Sequence, residues 1–162
     1  MPSNAILYRA PFGIPGSVSR AGSTVEPWAL GATAFTAYGL FAKLVAGLLV
    51  PIGGGDTPDK VAGLLVRAYP SQGANASDPL GTAVPPTSGM GSLLTRGYAS
   101  VLVARGTAAI GGQVYVRVTA NGYTVGAIEA APADPDNCIA VPGARFMSAK
   151  DADGNAEIAF NV

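Results

Sequence analysis

From Gly97 to Val162 the chain is written in twos. Tyr98 to Arg105, Gln113 to Thr119 and Glu157 to Val162 each run at period two, and glycine turns separate them. In Gln113-Val114-Tyr115-Val116-Arg117-Val118-Thr119 the three valines share one face, and the polar or amphipathic residues share the other. Successive side chains of extended backbone point to opposite faces, so this pattern predicts strands buried on one side. One-sided burial belongs to antiparallel sandwiches and barrels, whereas strands of parallel sheets read as unbroken apolar runs. The same stretch has no histidine, no metal-ligand cluster and no nucleophile beside a base. It reads as a scaffold that binds through its surface.

At 162 residues the chain is expected to form one domain with an arm. That length buries about two thirds of the unfolded surface, so no metal or disulfide is needed to hold it. Hydrophobic residues make up 49% and charged residues 12%, the latter roughly half the usual share. So few charges imply that a partner covers part of the surface. Lys plus Arg and Asp plus Glu balance at 10 each, which leaves no field to attract nucleic acid or anionic lipid. Histidine is absent, which removes the commonest general base and zinc ligand. No enzyme activity, cofactor or metal is expected. Cys138 is the single cysteine and is expected to be a buried, inert small hydrophobe. No basic-then-apolar leader is evident, so secretion is not expected.

Ala29 to Ile52 carries one formal charge, Lys43, over a length that would cross a bilayer. Lys43 sits near the middle, where it costs roughly 2.5–3.5 kcal/mol. Two buried strands about a turn near Tyr38-Gly39 are the better reading, and no membrane partner is expected. Residues 1 to 28 are broken by Pro2, Pro11, Pro15 and Pro27, so they read as an extended arm with apolar anchors. Residues 29 to 162 read as a single β domain with a long loop at about 69–90. Strands recur every ten to fifteen residues, and Asn121-Gly122 and Asp153-Gly154 signal hairpin turns. The fold class is all-β, a sandwich or barrel of eight to ten strands.

Motifs that tempt a chemical reading give way to turns. Gly53-Gly54-Gly55-Asp56-Thr57 lacks the lysine and hydroxyl that a phosphate loop needs directly after its second glycine. Asp151-Ala152-Asp153-Gly154-Asn155 has its glycine at the fourth position rather than the sixth, and no twelfth-position glutamate. Asp134, Pro135, Asp136 and Asn137 form another turn cluster. The remaining carboxylates sit in turns or, for Glu157, on an expected exposed strand face. Ser71, Ser88 and Ser92 have no histidine to activate them.

Several blocks carry a resemblance. They are Gly13-Ile14-Pro15-Gly16 through Ser19-Arg20 with Thr24-Val25-Glu26-Pro27, then Gly63 to Gln72, Pro85 to Gly89, Arg96-Gly97-Tyr98 and Gly111 to Arg117. Ala144-Arg145-Phe146 and Gly154 to Asn161 complete the order. Together they resemble the structural cement proteins of tailed bacteriophages over nearly the whole chain, with Ser17 standing where the pattern has aspartate. The resemblance implies a jelly-roll-like β domain on the outer surface of an icosahedral capsid, made in the host cytoplasm. It implies a shell of the HK97-like fold, bridged at neighbouring major capsid proteins and held against the pressure of packaged DNA. The expected partners are the major capsid protein and copies of the chain itself, as a dimer or trimer. The expected interface residues are Phe12, Arg20, Glu26 and Trp28 on the arm, with Arg67, Tyr69, Arg96 and Tyr98 flanking the long loop. Arginine and aromatic side chains dominate interface energetics, although Trp28, Tyr69 and Tyr98 also suit ordinary core packing. A tail or fibre component is the first alternative, a single-span membrane protein the second and an enzyme the last.

Overall fold

The computed structural model describes residues 13–67, 82–132 and 135–162. Phe12, Tyr69, the first part of the arm and most of the 69–90 loop lie outside them. Nine strands are described: β1 (Thr24–Ala29), β2 (Phe41–Val45), β3 (Leu48–Pro51), β4 (Gly63–Val66), β5 (Met90–Arg105), β6 (Gln113–Arg117), β7 (Ile128–Glu129), β8 (Cys138–Phe146) and β9 (Asn155–Phe160). Two single turns of 3-10 helix, Pro58–Lys60 and Pro135–Asn137, are the helical elements among the described residues. The all-β, barrel-like expectation is borne out.

The organising element is β5, sixteen residues long. The sequence pattern starts this strand at Tyr98, because period two breaks at Gly97. In the structure the strand runs through the break. Before Gly97 the even residue Leu94 faces the main core, and after it the odd residues Ala99, Val101 and Val103 face that same core. The reversal needs an extra residue, and the pairing with β1 skips Thr95 between Thr24↔Arg96 and Val25↔Leu94. This is a β-bulge, which bends the strand and re-aims its side chains. Gly97 takes φ +136°, and a Cβ there would lie 2.8 Å from the Ser23 Cα.

The two halves of β5 serve two bodies. Its second half pairs with β9 from Gly97↔Phe160 to Leu102↔Asn155, and its end pairs in parallel with β7. β7 pairs with β6, β6 with β8, and β8 with β9, all antiparallel. The ring β5-β7-β6-β8-β9 therefore closes on itself as a barrel. Val114, Val116, Val118, Ile128, Val141, Phe146 and Ile158 fill it, so the valine face read from Gln113 to Thr119 points where expected. The opposite face of β6 holds a surprise. Arg117 is 1% exposed and donates from Nε to Glu129 Oε1 at 2.6 Å on neighbouring β7.

The first half of β5 belongs to an open sheet ordered β3-β2-β4-β5, with β1 on the other edge of β5. This sheet is covered on both faces. Phe41, Leu64, Val66 and Leu94 join the barrel core, while Ala42, Leu65 and Leu93 turn to a second cluster with Phe35, Tyr38 and Leu49. The Phe41 and Phe160 rings meet edge to face at 5.8 Å where the two bodies join. The Ala29–Ile52 stretch thus supplies two strands, but the turn lies at Ala46-Gly47 rather than at Tyr38-Gly39. No described helix is long and apolar enough to cross a membrane.

The turn readings at Asp56 and Asp151 hold, while Asp134 of the third cluster lies outside the described residues. Asp56 accepts from the Gly53 amide at 2.7 Å and from Lys43 Nζ at 2.6 and 2.7 Å. Asp151 Oδ1 accepts from the amides of Asp153 and Asn155. Two burial expectations need correction. Glu157 is not on an exposed face but 8% accessible, because the N-terminal segment lies over it. Cys138 is only half-buried, with Sγ 3.5 Å from Glu129 Oε2.

Gly97→Ala is expected to destabilise the protein by about 2 kcal/mol through backbone strain and the clash with Ser23, or roughly 5 °C in Tm. Gly53→Ala, with open space at its Cβ, serves as the neutral control in the same melting experiment.

Candidate functional site

Residues 13 to 29 run along one edge of β5 and carry Arg20, Glu26 and Trp28, half of the described candidate residues. The Gly16 amide donates to Ser100 O at 2.8 Å, the Ser100 amide to Ser17 O at 2.9 Å, and the Ser19 amide to Tyr98 O at 3.0 Å. β1 continues this pairing to Met90. A Cβ built on Gly13 would lie 3.7 Å from that of Ser17 and 4.0 Å from that of Ser100, so the segment passes close beside Ser100.

Arg20 fastens this segment. Its guanidinium donates to both Glu157 oxygens, from Nε at 2.9 Å and Nη2 at 2.5 Å, and lies 4.2 Å over the Tyr98 ring. The Ser19 hydroxyl adds a bond to Glu157 Oε1 at 2.7 Å. Two-point pairing of a planar cation with a carboxylate is the strongest ion-pair geometry available to side chains. The hydrogen bond from Arg20, with support from the Ser19 hydroxyl and the charge of Arg20, holds the Glu157 carboxyl below its ordinary 4.5, against an opposing contribution from burial.

Arg67 fastens the other end. Its Nε donates to Pro15 O at 2.8 Å, its amide to Gly16 O at 2.8 Å, and its guanidinium lies 4.7 Å over the Tyr38 ring. Here the backbones nearly touch. A Cβ on Gly39 would come 2.8 Å from the Gly16 amide nitrogen, so glycine is required for the approach.

Glu26, Trp28 and Arg96 form the remaining stretch. Trp28 Nε1 donates to Glu26 Oε2 at 3.3 Å, and the Thr95 hydroxyl donates to Glu26 Oε1 at 3.3 Å. Trp28 is half-buried against the second core cluster, and Arg96 is exposed opposite Thr24. Arg20, Glu26, Trp28, Arg96 and Tyr98 therefore share the β1–β5 ribbon, and Arg67 stands apart beside Pro15. Sequence reasoning did not find Glu157, the acceptor that organises the ribbon. Its one signal is a carboxylate inside Asn155-Ala156-Glu157-Ile158-Ala159-Phe160, a strand buried at every position.

Beyond Gly13 the outer face of β5 is open. Leu102, two residues on from Ser100, is 51% exposed. With Ala104, Pro15, Tyr38, Val84 and Ile128 it lines an apolar groove of about 450 Å³. Elsewhere Tyr123 is sandwiched by Arg105 at 4.8 Å and Arg117 at 4.6 Å. Among the described residues no three His, Cys, Asp or Glu side chains come together. The arrangement offers shape, apolar surface and a few held charges.

Because the folded Glu157 carboxyl titrates below its unfolded value, its latch contributes fully above pH 4.5 and fades as pH falls from there, being lost below the folded value. Amide exchange at Gly16 and Ser19, corrected for intrinsic rates, should lose protection as pH falls below the ordinary carboxyl value of 4.5. In Glu157→Gln the protection should be lower throughout and insensitive to pH over that window. Parallel profiles for the two proteins would remove the latch from the account.

The family model described as XM1 gp53 minor capsid protein matches residues 3–160. Among solved structures, a chain of "The capsid of Myoviridae Phage XM1" superposes with a TM-score of 0.67 at 20% identity, covering 96% of this chain and 94% of that one. At that identity the shared property is the fold. No curated protein matches the chain.

Proposed function

Since the chain belongs to the XM1 gp53 minor capsid protein family, and so is a structural protein of the virion capsid, we propose that it acts there as a cement protein. In this reading it binds the outer surface of a shell of HK97-like fold, bridges neighbouring major capsid proteins and resists internal DNA pressure. It works by binding alone. Copies on the shell touch one another, as symmetry-related neighbours do.

The observation that carries this reading is the fastening of residues 13–20 by Arg20 and Arg67 within the chain itself. A contact segment ordered before binding loses little conformational freedom when it binds. Shallow contacts then suffice, because many copies act together on a closed shell. We assign the exposed Arg96 and the partly open Glu26 and Trp28 to direct contact. Arg20, Tyr98 and Arg67 set the shape of that surface. Phe12 and Tyr69 remain proposed contacts, the first in an extended arm of residues 1–28 and the second in the loop at about 69–90 of a single β domain spanning residues 29–162.

Capsids stripped of this protein should co-sediment with it when it is added back, and should then release DNA several degrees higher. Failure to co-sediment, or an unchanged release temperature, would sink the cement reading. Removing residues 1–12 spares every described hydrogen bond of the Gly13–Arg20 segment. That truncation should leave Tm within about 2 °C and weaken capsid binding about tenfold or more.

A further inference from the structure

The β2–β3 hairpin ends in Leu44-Val45-Ala46-Gly47-Leu48, five apolar residues in succession and all exposed. Val45 and Leu48 are cross-strand partners with 51% and 41% of their surface open, and Leu44 has 38%. Single exposed apolar residues are ordinary. A continuous run of five at the tip of a hairpin is not, unless it is used.

The turn itself breaks a local rule in the same direction. Ala46 and Gly47 both take positive φ, +50° and +78°, the geometry of a tight two-residue hairpin in which asparagine or aspartate normally stands first. Alanine has no side-chain oxygen to offset the strain of that conformation. Nor does packing within the chain call for it, since Ala46 is exposed. The nearest charged residue in the sequence, Lys43, is held by Asp56 at 2.6 Å. The tip is thus a projecting, uncharged peg whose turn residue gives up stability and polarity together.

We infer that this tip enters an apolar, uncharged pocket of the shell protein. The inference rests on the capsid-binding reading above and adds the point of contact. A second copy in free solution is a poor occupant. A tip of this size offers on the order of 300 Å², against about 800 Å² per partner in a stable complex. On a shell, repeated small contacts add up.

Two variants test it on stripped capsids: Ala46→Asn, which suits the turn, and Val45→Thr with Leu48→Gln, which makes the tip polar. Ala46→Asn should melt at or above the wild-type temperature, and the double variant within about 2 °C of it. Capsid affinity should fall a few-fold for the first and about tenfold or more for the second. Wild-type affinity in both folded variants overturns the peg and leaves the cement reading standing. Failure of the wild type itself to bind overturns both. A wild-type oligomer in the ultracentrifuge that the double variant dissociates would make the occupant a second copy, and the shell pocket would be wrong.

Discussion

The reversal of facing at Gly97 is the constraint on which the molecule depends. A strand that kept strict alternation from Met90 to Arg105 would turn either Leu94 or the Ala99-Val101-Val103 row away from the core. One extra residue removes that conflict, so a single strand closes a barrel at one end and centres a sheet at the other. The N-terminal segment follows the same line, with Ser23 packed against Gly97 and its hydroxyl accepting from the Tyr98 amide at 3.2 Å. Barrel, sheet and outer ribbon are therefore positioned by one backbone irregularity.

Charge is scarce in this chain, and much of what exists is spent inside it. Arg20, Arg67 and Lys43 each hold a loop or segment in place rather than standing free on the surface. The Arg117–Glu129 pair is the extreme case, with both side chains 1% exposed and one guanidinium nitrogen, Nη2, without a hydrogen-bond partner. A buried pair of this kind gives little net stability, because desolvation offsets the attraction. What it does give is a strong penalty for mispairing, since either partner alone would be a buried charge. β7 has only two residues, and its Glu129 is tied to Arg117 of β6 by this pair.

Much of the fold was legible in the sequence for a simple reason: strands with one face in the core advertise it every second residue. The valines of β6 and the Asp56 and Asp151 turns were readable in this way. Three features were not. The bulge at Gly97 looks the same in sequence as a strand end, because both interrupt alternation. The hairpin turn at Ala46-Gly47 lacks asparagine or aspartate, so Tyr38-Gly39 seemed the stronger break. Glu157 looked solvent-facing because its cover comes from residues 137 positions earlier, and no local pattern reports so distant a partner. The candidate site suffered most from that last limit. Arg20, Arg67 and Tyr98 were recognisable as important side chains, but whether they face inward or outward is decided by tertiary contacts.

The closed ring β5-β7-β6-β8-β9 has a consequence for life at high copy number. An open sheet exposes rows of unpaired amides and carbonyls, which recruit strands from other molecules. Here the barrel half closes its row, whereas on the sheet half β1 and β3 are each paired along one side, with an isolated bridge from Leu30 to Leu49 between them. Crowded copies therefore have few open backbone groups on the barrel side through which to polymerise, and the edges that could recruit a strand are confined to the sheet side.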